Sequence, residues 1–237
     1  MVRRSLPVLL GIGILSVGVL VGCATGTGSV PAEDETPDAT SPGASSEVSA
    51  GWLDAGRGVA VVTLGSSSCV PVAADPTLAG TTLTVDLVDV TGGPCTRDMA
   101  PRATYVALPP GVDPTQDFDI VVTGAVAGAT SLAGLATSPT PVPEFAPSAG
   151  WVDGDLAAIL TWGSSGCRPQ LEAVASSDAG ATVTFAEPPA DQVCTMDLAP
   201  RVTLADLTGI VGDGSIELTL SGGNIASDGP VAIIGRR

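Results

Sequence analysis

Histidine and lysine are both missing from the 237 residues, and all nine basic side chains are arginine. The Ser–His, Cys–His and Ser–Lys pairings that activate a nucleophile therefore cannot be assembled, and the chain is read as non-enzymatic. Nine arginines against 25 Asp and Glu, a net charge of −16, leave no basic patch to neutralise a run of phosphates, which excludes a nucleic-acid partner. Aromatic residues make up 3% of the chain. Stacking platforms for sugars are correspondingly scarce, which argues against a glycosidase built on two carboxylates across a sugar cleft. Any core must come from Val, Leu, Ile, Ala and Thr, a composition that suits sheets. No GxxxxGK or GxGxxG string follows a strand, so no phosphate-binding turn is expected. Helical periodicity is missing after residue 23. Only Ala125 to Ala136 is ambiguous, and its glycines weaken a helix there.

What is present is one stretch written twice. GSSSC at Gly65 to Cys69 precedes CTRDMAPR at Cys95 to Arg102, and GSSGC at Gly163 to Cys167 precedes CTMDLAPR at Cys194 to Arg201. Trp52 and Trp151, each closing the string SAGW, open the copies, and equivalent residues lie 98 or 99 positions apart. This is a tandem duplication of a small domain. Thr82 to Val88 alternates Leu83, Val85 and Leu87 against polar residues, the pattern of a half-buried strand. Val59 to Leu64, Val70 to Ala74, Thr104 to Leu108 and Phe118 to Val122 read as further strands. The second copy repeats them through Ala157 to Trp162, Leu171 to Ala175, Thr182 to Phe185, Val202 to Leu207 and Ile216 to Leu220, and Val231 to Ile234 could close its sheet. The fold class expected is all-β: two small tandem domains, each an Ig-like β-sandwich or a barrel.

Residues 1–22 read as a signal peptide, with Arg3 and Arg4 ahead of an apolar run. Leu20-Val21-Gly22-Cys23 resembles the bacterial lipobox, and the resemblance implies that Cys23 is acylated and that the chain is anchored by lipid at the outer face of the plasma membrane. Two or three acyl chains would hold it there stably. Residues 23–50, the lipidated cysteine and an acidic Ser/Thr/Pro-rich stretch, are expected to form a disordered tether. The first repeat is placed at 51–136, a Pro-rich linker at 137–149 and the second repeat at 150–237. Whether the repeats dock is left open. The abundance of Ala, Gly, Val and Thr beside absent Lys resembles the coding of a GC-rich genome. The paired GSSSC and CTRDMAP strings, over about residues 51–222, resemble a motif of secreted actinobacterial proteins that carries no known activity.

With Cys23 assigned to lipid, four cysteines remain. The duplication makes pairing within each copy the economical choice, Cys69 with Cys95 and Cys167 with Cys194, and an oxidising compartment favours disulfides. Loops of 26 and 27 residues would each contribute roughly 3 kcal/mol. Zinc is the rival reading, but zinc ligands usually come in close CxxC-like pairs and none occurs here. The serines before each cysteine are read as a tight turn. Asp98 with Arg102 and Asp197 with Arg201 are expected to cap the local turn and to close an ion pair. Asp117, Asp119, Asp153, Asp155 and Asp213 offer oxygen ligands for calcium without a full EF-hand loop. No cofactor is expected. Trp52, Trp151 and Trp162 are assigned to cores, the last packing on its disulfide. These features point to an envelope lipoprotein whose repeats bind another envelope protein or the wall. A ligand-binding or protease-inhibitor-like lipoprotein is the alternative, and a calcium-binding surface protein the third reading.

Overall fold

A chain so poor in aromatics must bury many small β-branched side chains at once, and sheets laid face to face do this. The computed structural model describes residues 47–90, 93–225 and 227–237, all within one compact unit, 42–237. The expected signal peptide, Cys23 and the expected tether up to residue 46 lie outside the described residues. The described chain is all-β and carries both disulfides, Cys69–Cys95 and Cys167–Cys194.

In the first copy, β1 (Val48–Leu53), β2 (Gly58–Gly65) and β6 (Ala100–Ala107) form a three-stranded antiparallel sheet. A second sheet is built on β5 (Thr82–Val88). It pairs with the short β3 (Val72–Ala73) and β4 (Thr77–Ala79) on one side and, in parallel, with β7 (Phe118–Gly124) on the other, and β7 pairs with β8 (Gly128–Leu132). Val59 and Val61 from the first sheet meet Leu83, Val85, Leu87, Ile120 and Val122 from the second. Trp52 closes this core, 1% exposed, edge-on to Phe118 at 5.3 Å and donating from Nε1 to the Ala133 carbonyl at 2.8 Å.

The second copy repeats the plan through β9 (Ser148–Asp153), β10 (Leu156–Gly163), β11 (Leu171–Ser177), β12 (Gly180–Phe185), β13 (Ala199–Asp206) and β14 (Glu217–Gly222). Here β15 (Val231–Ile234) pairs with both β14 and β9, so the two halves run together as one seven-stranded sheet. This corrects the expected pair of Ig-like sandwiches or barrels. The pairings β5–β7, β12–β14 and β15–β9 are parallel, whereas an Ig-like sandwich is antiparallel throughout. One unit wound twice, with parallel neighbours, is nearer a β-solenoid.

The copies share a boundary. Leu53 and Ala60 of the first pack with Ala158 and Leu160 of the second, joined by Tyr105 and Trp162. A Cβ on Gly51 would lie 2.4 Å from the Trp151 carbonyl oxygen, and one on Gly150 would lie 1.8 Å from that of Trp52. This reciprocal approach explains the glycine in both SAGW strings. It also explains why β1 and β9 lack alternation: each is buried on both faces. β1 begins at Val48, and Val48 and Ala50 are core residues within the stretch expected as tether.

The linker is held rather than free. Asp54, Ala55 and Gly56 form a left-handed turn (φ 53°, 51° and 82°). Asp54 pairs there with Arg57 and accepts from the Tyr105 hydroxyl at 3.1 Å. Arg57 Nη1 reaches the Val142 carbonyl at 3.3 Å. Phe145 packs edge-on to Trp162, 5.1 Å between centroids.

Candidate functional site: two cystine loops around one cleft

β2 and β10 each run out at a glycine, and the following serines turn the chain back: Cys69 N donates to the Ser66 carbonyl and Cys167 N to that of Ser164, both at 3.3 Å. An arginine passes beneath each turn. Arg102 Nη1 donates to the Cys69 carbonyl, and Arg201 donates to the Cys167 and Trp162 carbonyls at 3.0 and 2.9 Å. A Cβ on Gly65 would fall 2.4 Å from the Arg102 guanidinium carbon, and one on Gly163 2.8 Å from that of Arg201. The glycine of GSS and the arginine of APR are thus one device, separated in sequence and joined in space. Desolvation pulls Arg201 below its ordinary pKa.

The outer half of each loop is tied by a threonine. Thr96 Oγ1 lies 2.8 Å from Ser66 Oγ, Thr96 N donates to Ser68 Oγ at 2.9 Å, and Asp98 Oδ1 accepts from both Thr96 Oγ1 and the Ser67 amide. In the second loop Thr195 Oγ1 lies 2.7 Å from Ser164 Oγ, and Asp197 Oδ1 accepts from Thr195 Oγ1 and, at 3.0 Å, from the Ser165 amide. The expected ion pairs Asp98–Arg102 and Asp197–Arg201 are corrected. Among the described residues the ion pairs are Arg57–Asp54 and Arg237–Asp155. Four residues apart would bring partners together on a helix. Here the chain between them enters a strand, rising about 3.3 Å per residue, so the Asp stays on the loop while the Arg goes under it.

Both carboxylates are fully exposed yet held at about 2, below the ordinary 3.8. For Asp98 the Ser67 hydroxyl is the first cause, then Thr96; for Asp197 it is Thr195, then Ser165. Because the folded pKa is depressed, the loops gain stability that is complete above about pH 4 and lost as pH falls through about 2. Proton titration of these carboxyls by NMR is expected to give midpoints near 2, and Thr96→Val or Thr195→Val to raise the midpoint of its own loop alone. Midpoints near 4 in the unmutated chain would contradict the network.

The loops carry apolar side chains into solvent. Val193 is 92% exposed and Met196 fully so, and Leu198, Met99 and Val90 are exposed with them. Between the loops lies a cleft of about 580 Å³, lined by Ser67, Ser68 and Val70 from the first copy and Ser165, Arg168 and Gln192 from the second. Sequence reasoning placed the cysteines, the serine turns and Asp98 and Asp197. It missed Thr96 and Thr195, although CT recurs in both copies, and it missed the exposed apolar tips.

Trp162 packs against a core, as assigned, the one at the boundary between the copies, with Tyr105 and Phe145 edge-on to it. Three of the five acids considered for calcium have other partners. Asp117 accepts from Gly134 N at 2.7 Å, Asp119 from Ser131 Oγ at 2.7 Å, and Asp155 pairs with Arg237. Among the described residues no three Cys, Asp or Glu side chains converge as a metal site. No helix among them is long and apolar enough to cross a membrane. No family model matches the chain, and neither a curated protein nor a solved structure does.

Proposed function

We propose that the chain is a cell-envelope lipoprotein, anchored through Cys23 at the outer face of the plasma membrane, that works as a non-enzymatic binding module. Its binding face is the pair of cystine loops. The observation that carries this is the exposure of Val193, Met196 and Leu198 on a loop fixed by a disulfide, a threonine hub and a buried arginine. Exposed apolar side chains cost solubility, and a fixed loop presents them without an ordering penalty when a partner arrives. The duplication adds a second such loop across the cleft, so a partner touching both gains avidity. Disulfides agree with an exported chain.

The same fixed shape favours a second reading, capture of a peptide or a protease by the loops, in the manner of an inhibitor. In-cell crosslinking with a carboxylate-directed reagent, followed by mass spectrometry, tests both; amine reagents have no Lys to react with. One dominant envelope protein is expected, and a protease in that place would favour the second reading. No reproducible partner would overturn both.

A further inference from the structure

The two copies differ in charge at one position of the cleft they share. Where the first copy places Val70 after its cysteine, the second places Arg168, and both line the cleft between the loops. Arg57 and Arg237 hold carboxylates, and Arg102 and Arg201 hold backbone carbonyls; Arg97, on the first cystine loop, has no ion-pair partner among the described residues, but it does not line the cleft. Among the described residues Arg168 has no carboxylate within ion-pair distance, and the residues lining the cleft include no Asp or Glu. In a chain of net charge −16, a guanidinium facing a cleft without an acid is unusual. Arg168 is itself exposed, so an incoming anion can reach it, and partial desolvation by the loops pulls it below its ordinary pKa.

The chemistry of the anion follows from the count of charges. A planar guanidinium matches a carboxylate through two parallel N–H···O bonds. A dianionic phosphate would meet one cation here against the repulsion of the whole molecule. The polar part of the remaining lining, Ser67, Ser68, Ser165, Gln170 and Gln192, supplies hydroxyls and amides that suit peptide groups, and Val70, Val90 and Pro94 line the rest. We propose that the cleft binds the free C terminus of a short peptide, with Arg168 recognising its carboxylate. This rests on the reading of the cystine-loop face as a binding surface, and it gives that face a ligand class. Because Val70 is the counterpart of Arg168, the site is single despite the duplication.

Isothermal titration calorimetry on the full chain tests it, with N-acetyl-Ala-Ala-Ala as probe, its C-terminal amide as control and inorganic phosphate as competitor. The acid is expected to bind at least ten-fold more tightly than the amide, phosphate to compete weakly, and Arg168→Gln to lose at least ten-fold toward the acid with an unchanged melting temperature. Arg168→Lys, which keeps the charge and loses the fork, is expected to fall between. Equal binding of acid and amide, no binding of the acid, phosphate binding as well as the acid, or an Arg168→Gln chain with full affinity would each overturn the proposal. Should Arg168→Gln fail to fold, the acid-against-amide comparison on the unmutated chain decides. The calorimetry alone decides this inference, and the crosslinking alone decides the reading beneath it.

Discussion

Gly150→Ala is expected to cost about 3 kcal/mol and to lower the melting temperature by roughly 6–12 °C, given about 2–4 °C per kcal/mol for a chain of this size. The added Cβ would stand 1.8 Å from the Trp52 carbonyl oxygen, and backbone cannot swing aside as a side-chain tip can. Both neighbours are fixed: β9 is paired to β10 and β15, and Trp52 is buried in the first core. Gly51→Ala, whose Cβ would meet the Trp151 oxygen at 2.4 Å, is expected to act in the same direction. Gly212→Ala is the control, since no heavy atom lies within 4 Å of its Cβ. Thermal melts followed by circular dichroism separate the cases. A Gly150→Ala chain that melts with the parent would mean that the copies do not approach through their SAGW strings.

Loss of either disulfide is the second large effect. Cys167→Ser with Cys194→Ser opens a loop whose ends are 27 residues apart, and the chain-entropy model puts the loss at about 3 kcal/mol. The Cys69–Cys95 pair, 26 residues apart, is expected to match it within error, because the two loops are built alike. Treatment of the parent with a reductant should lower the denaturation midpoint by about the sum of the two losses. Each loop would keep its arginine and its threonine hub, so β-structure should survive while the loop amides lose protection from hydrogen exchange. A midpoint indifferent to reductant would contradict the loops' role as staples.

Much of this architecture was legible in the sequence, and the exceptions share causes. Strands with one dry face declared themselves: the alternation in Thr82 to Val88 became β5, with Leu83, Val85 and Leu87 buried. β1 and β9 escaped because a strand buried on both faces by Gly, Ala and one Trp has no alternation to read. β8 escaped within Ala125 to Ala136, where small residues give no period. The cysteine pairing followed from the duplication. The ion pairs failed because nearness in sequence was taken for nearness in space, whereas the chain passes from a loop into a strand between Asp and Arg. The cleft could not be read at all, since it exists only where the copies meet. Its asymmetry could be: Val70 against Arg168 stands in the sequence, and the structure gives it a place.

The central claim is that the cystine-loop face is where this protein meets its partner. The most direct test is a photo-reactive residue placed at position 196 in one chain and at exposed position 172, on β11, in another, irradiated in the producing cell. The expected result is a discrete adduct from position 196 and none from position 172, with the position-196 adduct lost when Cys167 and Cys194 are both replaced by serine. Adducts of equal yield from both positions, or none from position 196, would contradict it.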